Sequence, residues 1–452
     1  MPTGMESTIK VRVGGFLLTG VVFGCELSFG TGGLRGILGA GTNRMNVHIV
    51  RRAAQAVAEY LNGTVLPKRA AIGYDSRIGS ARFARETAAV FASNGIEVCL
   101  YPRLEPVPAL SFAVRALSCG VGVCITASHN PAQYNGFKVY GSDGCQLTPA
   151  GVAQIAADLR NRSYFGNICS GDFDALLASG SIHWIPDKLL DAYIDSILSL
   201  RVTKDGLSGL KLVYTPLNGS GKECVEKLFK NDLTLVPEQA ETDGNFPTCP
   251  YPNPEIREAM QKGLKLSRIV KPDLLIGTDP DYDRCGVAVP DKGSYRLLSG
   301  THVRDKDGVN AAALLCKAAS WYQKRGMTLA SAIDALYERF GCYVHLQLSL
   351  AFSGADAMAQ IASVMQRLRE NPPASIGSLS VSAITDYLTG PTGLPRSDVL
   401  AFRLTGGASV VVRPSGTELK LKLYLSANAD TRAAAVAQLR ALETACRTLL
   451  QF

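Results

Sequence analysis

Residues 47–125 alternate between helix-like and strand-like runs, and this alternation constrains the fold more than any other feature of the chain. Apolar periodicity predicts helices at 47–61, 82–94 and 109–117, and extended segments at 70–73, 96–101 and 121–125. Strands and helices that alternate in this way form βαβ units around a largely parallel sheet. Open sheets of this kind bind ligands at the carboxyl ends of their strands. We therefore expect an α/β fold with a site directly after one of these strands.

The alternation starts again in the second half of the chain. A second α/β unit is predicted by a strand at 210–214, a glycine turn at 218–221, a helix at 223–229 and a strand at 274–277. A further helix is expected at 305–324. The last part has three strands, at 399–404, 409–412 and 420–425, and then a helix from Asp430, which predicts a small α+β domain. A chain of 452 residues is too long for one core, so roughly three or four domains are expected.

Cysteine usage and charge exclude several classes of protein. The 12 cysteines are scattered without a Cys-x-x-Cys pair, so neither a zinc site nor a disulfide framework is indicated, and a reducing compartment is the simpler inference. The formal charge of +8 is spread along the chain without a basic block, which argues against nucleic acid as a partner. A modest positive field of this kind attracts phosphorylated metabolites equally well.

One apolar run near the amino terminus, residues 13–24, faintly resembles a signal or lipoprotein sequence because Cys25 follows it. The run is too short to span a bilayer. We therefore expect a cytoplasmic protein that does not associate with a membrane.

The segment Ile125–Pro131 carries the first candidate for chemistry. Ser128 lies just beyond an apolar strand, and Asn130 followed by Pro131 prevents strand or helix from continuing. A serine hydroxyl on such a turn, with His129 beside it, suits covalent group transfer. His129 could carry a proton or simply orient its neighbour. An ordinary surface loop is the alternative interpretation of the segment.

Three alternating carboxylates, Asp279, Asp281 and Asp283, follow the predicted strand at 274–277. Carboxylates this close repel one another unless a cation neutralises them, and all-oxygen ligation suits Mg²⁺. A calcium loop of the EF-hand type does not fit, because Arg284 stands where such a loop needs glycine and Pro290 where it needs glutamate. The alternative is a solvated acidic turn.

Two further loops suit anions. Residues 413–417 follow a strand and offer a guanidinium, two hydroxyls and free backbone N–H groups, a combination that suits a phosphate dianion, although a capped turn is the alternative. Residues 29–36 form a glycine-rich loop with Arg35 at its tip. Neither a Walker lysine pattern nor a complete Gly-x-Gly-x-x-Gly is present, so nucleotide binding is not supported.

Taken with their order along the chain, these motifs resemble the α-D-phosphohexomutase superfamily, closest to its phosphoglucomutase and phosphopentomutase branch. The resemblance covers nearly the whole chain, in the stretches 29–36, 39–46, 74–77, 126–131, 134–138, 213–216, 243–248, 279–284, 300–307 and 413–418. It implies a multi-domain phosphohexomutase-like architecture with mixed α/β sheets and a C-terminal α+β domain.

The resemblance also implies a role for each site residue. Ser128 would be a phosphoserine that exchanges its phosphoryl group with a phosphosugar, with Mg²⁺ held between it and the three aspartates. Lys138, Arg35 and His129 would act at the reacting group, and Arg284 and Arg77 would support it. The phosphate that does not react would be bound by Arg413, Ser415, Gly416 and Thr417.

Four domains follow from the same comparison: 1–200 with the nucleophile, 201–298 with the metal, a truncated sugar-binding remnant at 299–370, and 371–452 with the phosphate loop. The remnant is expected because the run 295–301 is uninterrupted where the branch carries much of its third domain, including a Gly-Phe-Glu-Glu-Ser loop that grips the sugar. In addition, Asn218 stands where the branch often has histidine, and Leu419 replaces a proline. Because the loop that grips the sugar is missing, sugar selection is expected to be weakened or lost.

The function implied is interconversion of glucose 1-phosphate and glucose 6-phosphate, with glucose 1,6-bisphosphate as intermediate and activator. A phosphopentomutase or a phosphomannomutase is the alternative, because the segment that discriminates sugars is the one deleted. A non-catalytic phosphosugar-binding protein or a decayed mutase is the alternative of another class. The partner expected is a small phosphosugar, with the chain a monomer or homodimer.

Overall fold

The structure is a computed structural model of the 452-residue chain. It describes residues 26–30, 32–200, 209–229, 233–291, 294–299, 306–352, 356–390, 393–394, 396–415 and 420–450, and two short strands, Arg12–Val13 (β1) and Phe16–Leu17 (β2), which pair antiparallel. The remainder of the apolar run at 13–24 lies outside the described residues. The chain divides into two compact units, Met1–Ala330 and Ser331–Phe452. The four-domain division stays a prediction.

The first sheet of unit 1 has six strands in the order β3, β7, β6, β4, β5, β8. These are Leu34–Ile37 (β3), Arg69–Tyr74 (β4), Glu97–Leu100 (β5), Val121–Ile125 (β6), Tyr134–Gly141 (β7) and Ile182–Trp184 (β8). Strands β6, β4, β5 and β8 are parallel, as the alternation predicts, whereas β7 pairs antiparallel with β6 and β3 pairs antiparallel with β7. The sheet is therefore mixed, and its parallel part contains the strand that leads to Ser128.

Helices cover both faces of this sheet, because each has an apolar side that must be buried. They are Val47–Asn62 (α1), Ser80–Ser93 (α2), Val107–Ala116 (α3), Pro149–Asn161 (α4), Phe173–Ala178 (α5) and Asp187–Ser199 (α6). The first begins where the Asn46 side chain accepts a hydrogen bond from the Ile49 N–H, as helix-capping residues do. One cluster of buried apolar residues joins α1 and α2 to β4 and β6, and a second joins α3 and α6 to the next sheet.

The second sheet of unit 1 has five strands in the order β10, β9, β11, β12, β13. They are Leu212–Thr215 (β9), Leu233–Leu235 (β10), Leu274–Thr278 (β11), Cys285–Asp291 (β12) and Ser294–Ser299 (β13). The first three are parallel, and β12 and β13 return antiparallel. Its helices are Lys222–Phe229 (α7), Pro237–Ala240 (α8), Gln261–Val270 (α9) and Gly308–Gln323 (α10). The predicted second α/β unit is therefore present, with the aspartates directly after the central strand β11.

Unit 2 contains one six-stranded antiparallel sheet in the order β14, β19, β18, β17, β16, β15. The strands are Cys342–Ala351 (β14), Ser375–Ile376 (β15), Leu379–Asp386 (β16), Leu400–Leu404 (β17), Ser409–Pro414 (β18) and Lys420–Ala429 (β19). Helices Ala357–Glu370 (α12) and Arg432–Leu450 (α13) bury their apolar sides with those of the strands. Helix Leu329–Phe340 (α11) begins at the end of unit 1. The α+β prediction for the end of the chain is confirmed.

Within the parts of the chain that the structure describes, we find no helix that combines the length and the apolar character needed to cross a membrane.

Candidate active site

Ser128 lies on a tight turn at the carboxyl end of β6. Its backbone has a φ of 52°, in the left-handed region that residues with a side chain seldom adopt, and the residue is almost fully buried. Its N–H donates a hydrogen bond to the Thr126 hydroxyl at 2.8 Å. The turn therefore holds the serine hydroxyl in a defined direction, away from solvent.

The aspartates lie on a second tight turn, between β11 and β12. Tyr282, in the middle of the turn, also has a left-handed φ of 54°, and its ring is buried in the core of unit 1. The Arg284 N–H closes the turn by donating a hydrogen bond of 2.9 Å to Asp279 Oδ1. As a result, Asp279, Asp281 and Asp283 each place one carboxylate oxygen within 4.8 Å of the others.

The two turns meet, although more than 150 residues separate them along the chain. Ser128 Oγ donates a hydrogen bond of 2.6 Å to Asp279 Oδ2, and Asp283 Oδ1 lies 3.5 Å from the same hydroxyl. The hydroxyl and the acidic cluster predicted from separate motifs therefore form one buried site.

A buried cation partly balances this cluster. Lys138, from β7, donates hydrogen bonds to Asp281 Oδ2 at 2.7 Å and to Asp283 Oδ2 at 3.2 Å. Burial alone would lower the pKa of Lys138, but the two carboxylates raise it well above its ordinary value. The lysine therefore remains protonated, and it also lowers the pKa of Asp281 against the opposing effect of burial.

The donor set fits a divalent metal ion. Burial, followed by the neighbouring carboxylates of Asp281 and Asp283, raises the pKa of Asp279 well above its ordinary value. Within the described part of the chain, Asp281 Oδ1 is buried and accepts no hydrogen bond. An oxygen in that state suits a ligand to a cation, and carboxylate oxygens suit Mg²⁺.

Cations also surround His129. Its Nδ1 lies 3.2 Å from Ser128 Oγ. Burial, with Arg284 and Arg35 nearby, lowers the pKa of His129 to about 2, so the imidazole is neutral at physiological pH. Arg35, in β3, donates a hydrogen bond of 3.4 Å to Asn130 Oδ1. The structure thus brings His129, Arg35 and Arg284 to the hydroxyl and the aspartates.

Comparison with known proteins decides the family. Residues 26–164 and 191–293 match domains I and II of the family described as phosphoglucomutase/phosphomannomutase, alpha/beta/alpha domains. The chain is 31% identical to a probable phosphomannomutase of Haemophilus influenzae, over 85% of this chain and 93% of that protein, and 31% identical to a phosphoglucomutase of Staphylococcus haemolyticus, over 90% and 91%. The chain belongs to the phosphoglucomutase/phosphomannomutase family.

Solved structures of this α-D-phosphohexomutase superfamily share the fold. A putative phosphomannomutase from Thermus thermophilus superposes with a TM-score of 0.70 at 19% identity, covering 95% of this chain and all of that one. A phosphoglucomutase/phosphomannomutase family protein from Burkholderia thailandensis gives a TM-score of 0.65 at 16% identity, covering 94% and 97%. Enzymes named phosphoglucomutase or phosphomannomutase are isomerases that transfer a phosphoryl group within a sugar. The resemblance inferred from the motifs is therefore confirmed.

Arg77 supports the backbone of the Ser128 turn. Its buried guanidinium donates hydrogen bonds to the backbone carbonyls of four residues on the turn and the segment after it: Ser128, Asn130, Pro131 and Tyr134. It also pairs with Asp75 at 3.3 Å and lies over the Phe246 ring. Arg77 therefore acts on the backbone of the turn, and the structure gives it no contact with the aspartates at 279–283.

Four residues at the site were not among those predicted from the sequence. Asp75 and Thr126 form a buried hydrogen bond of 2.6 Å next to Ser128, Glu255 pairs with Arg284 at 3.2 Å, and Lys306 pairs with Asp283 at 3.5 Å. Asp75, Thr126 and Lys306 lie inside motif stretches of the family, which was the available signal. Glu255 lies 24 residues before Asp279, and no pattern in the sequence pointed to it.

The predicted phosphate loop lies in unit 2. Arg413 is exposed near the end of β18, where it pairs across the sheet with Lys422, and the Ser415 N–H donates a hydrogen bond of 2.8 Å to the Lys420 carbonyl. Gly416, Thr417 and Leu419 are outside the described residues. Arg413 therefore lies within β18 and Ser415 directly after it, and their role in binding a phosphate stays a prediction. Asn218, in unit 1, is buried in a left-handed turn.

Proposed function

We propose that this cytoplasmic protein interconverts glucose 1-phosphate and glucose 6-phosphate through a phosphoserine at Ser128 and a glucose 1,6-bisphosphate intermediate. One observation carries the proposal. The Ser128 hydroxyl lies 2.6 Å from Asp279 inside a cluster of three buried carboxylates. A structural serine needs no such neighbours, whereas phosphoryl transfer needs a nucleophile next to a metal ion.

Asp279, Asp281 and Asp283 would hold Mg²⁺ together with an oxygen on Ser128. When bound, the ion would offset the negative charge that develops on a phosphoryl group in transfer. The unpartnered Asp281 Oδ1 supports this assignment, since an ordinary acidic turn would leave its oxygens in water.

Residues of the chain itself would position the reacting groups and offset their charge. Lys138, which stays protonated, would hold Asp281 and Asp283 in place and add a fixed positive charge. His129, which is neutral, would orient the Ser128 hydroxyl through its Nδ1, because an imidazole with a pKa of about 2 is too weak a base to take up the serine proton at physiological pH. Arg35 and Arg284 would bring guanidinium groups to the reacting phosphoryl oxygens, and Arg77 would keep the nucleophile turn rigid.

The loop of unit 2 would bind a phosphate. Arg413, Ser415, Gly416 and Thr417 would hold the phosphate of the sugar that does not react. After one transfer the bisphosphate would turn around and return its other phosphoryl group to Ser128.

Sugar selection would be weaker than in relatives with a complete third domain. The alignment with the Staphylococcus haemolyticus phosphoglucomutase extends over 507 residues, more than the 452 of this chain, which supports an internal deletion. We place the deletion near residues 295–301, where the chain passes through β13. Because the Haemophilus influenzae relative is a probable phosphomannomutase, mannose phosphates are the second candidate substrate.

A coupled assay tests the proposal. Purified protein with Mg²⁺ is given glucose 1-phosphate, with and without glucose 1,6-bisphosphate, and appearance of glucose 6-phosphate is followed, with mannose 1-phosphate and ribose 1-phosphate as competing substrates. We expect bisphosphate-dependent turnover that Ser128→Ala abolishes. Binding of glucose 1-phosphate without turnover of any sugar would favour a non-catalytic phosphosugar-binding protein.

A further inference from the structure

The Thr126 hydroxyl lies where three buried parts of unit 1 meet. It accepts a hydrogen bond from the Ser128 N–H at 2.8 Å, lies 2.6 Å from Asp75 Oδ2, and lies 3.0 Å from Asp281 Oδ2. All four residues are almost fully buried. One hydroxyl therefore contacts the nucleophile turn, the end of β4 and the metal turn.

The chemistry of a hydroxyl limits what these contacts can be. A hydroxyl has one proton to donate and two lone pairs that accept, so its accepting side serves Ser128 and its proton can serve only one carboxylate at a time. Asp75 is the nearer acceptor, and its other oxygen already accepts hydrogen bonds from the Ser80 hydroxyl and the Arg77 N–H. Asp75 is thus anchored independently and provides a fixed point for Thr126.

The turn at Ser128 needs such an anchor. A non-glycine residue in the left-handed region is strained, and the conformation persists only where surrounding contacts hold it. The Ser128 N–H donates to the Thr126 hydroxyl, and Arg77 donates to the Ser128 carbonyl. The two backbone polar groups of this strained residue therefore each have a buried partner. Without the Thr126 hydroxyl, the buried N–H would lose its acceptor.

We propose that Thr126 is a positioning residue that fixes the Ser128 turn and the Asp281 carboxylate relative to each other. The catalytic consequence rests on the proposed mutase function. Because the Thr126 hydroxyl contacts Ser128, Asp75 and Asp281, it would act on the reaction through Ser128 and Asp281.

Three variants test the proposal. Thr126→Val keeps the shape of the side chain and removes the hydroxyl, whereas Thr126→Ser keeps the hydroxyl. Thr87→Val is the matched control, because Thr87 is also fully buried and its hydroxyl donates to the Phe83 carbonyl within α2, away from the site. Amide hydrogen exchange at Ser128, Mg²⁺ affinity by calorimetry, and the kcat and KM for glucose 1-phosphate are measured on the full chain.

In Thr126→Val we expect exchange of the Ser128 N–H at least roughly tenfold faster than in the wild type, because its buried acceptor is lost. The kcat should fall roughly tenfold to a hundredfold, with KM changed by less than about threefold, since the substrate contacts remain. Mg²⁺ binding should weaken, whereas Thr126→Ser should recover most of each loss. Thr87→Val should match the wild type in all three measurements.

The proposal would be overturned if the Ser128 N–H exchanged its hydrogen at the same rate in Thr126→Val and in Thr87→Val. Equal losses in Thr126→Ser and Thr126→Val would also overturn it, because the hydroxyl would then not be the cause. If the wild type turns over no phosphosugar, the proposed mutase function fails, and the exchange and Mg²⁺ measurements still decide whether Thr126 holds the two turns.

Discussion

Replacement of Lys138 by methionine should remove the main charge compensation inside the acidic cluster. The Lys138 ammonium lies 2.7 Å from Asp281 and 3.2 Å from Asp283, and the three side chains are only 1%, 0% and 2% exposed. Methionine fills much of the same volume, so the principal loss is the positive charge. Asp281 would then lose the cation that contacts it, whereas Asp283 would keep Arg284 at 3.7 Å and Lys306 at 3.5 Å. Breaking a buried ion pair by removing one partner costs about 3–5 kcal/mol, which for a unit as large as Met1–Ala330 lowers the melting temperature by roughly 4–7 °C.

Urea and thermal unfolding of Lys138→Met, in EDTA and in Mg²⁺, provide the assay. Lys262→Met is the matched control, since Lys262 pairs with Glu238 at 3.1 Å but both side chains are nearly half exposed, and such pairs contribute little stability. Mg²⁺ should stabilise Lys138→Met more than it stabilises the wild type, because the ion supplies the missing charge. Equal unfolding midpoints for the two variants in EDTA would refute the reasoning.

Two further predictions concern parts of unit 1 next to the site. Burial, followed by the nearby Glu223, raises the pKa of Glu105 to about 8. Between about pH 4.5 and pH 8 the folded state therefore keeps a proton that the unfolded chain releases. The free energy of unfolding should fall as the pH rises through this range. Denaturation across this pH range should show a fall that Glu105→Gln flattens, and an unchanged pH profile in the variant would contradict the assignment. A Cβ on Gly219 would lie 2.3 Å from Pro280 Cα in the metal turn, so Gly219→Ala should lose about 1–3 kcal/mol of stability and bind Mg²⁺ more weakly by calorimetry. Gly63→Ala, where the new Cβ meets ordinary contacts, should be near neutral; equal effects of the two alanine substitutions would show that the Pro280 contact is unimportant.

Local patterns were enough to predict the elements that lead to the site. The buried strand Val121–Ile125 is fully apolar and begins and ends as predicted, and β11 extends one residue beyond its predicted end at Gly277. Both are central strands with a parallel neighbour on one side. Strands buried in this way appear in the sequence as continuous apolar runs with a clear end. Their carboxyl ends carry Ser128 and Asp279, so the general position of the site also follows from the sequence.

Pairing between distant segments could not be predicted in the same way. In the first sheet, β7 pairs antiparallel with β6, and β3 pairs antiparallel with β7. Neither strand has a local signal that sets its direction, because the direction of a strand is decided by neighbours that are distant in sequence. Thr126 shows the same limit, since its partner Asp75 is 51 residues away and Asp281 is 155 residues away. Both Asp75 and Thr126 lie in motif stretches, but only the fold shows that they are hydrogen-bonded to each other next to Ser128.

Intact-mass spectrometry after incubation with glucose 1,6-bisphosphate and Mg²⁺ tests the central claim most directly. If Ser128 receives a phosphoryl group beside the three aspartates, the wild-type chain should gain the mass of one phosphoryl group, peptide mapping should place it on Ser128, and Ser128→Ala should gain none. A wild-type chain that gains no mass, or a Ser128→Ala chain that gains as much as the wild type, would contradict the account.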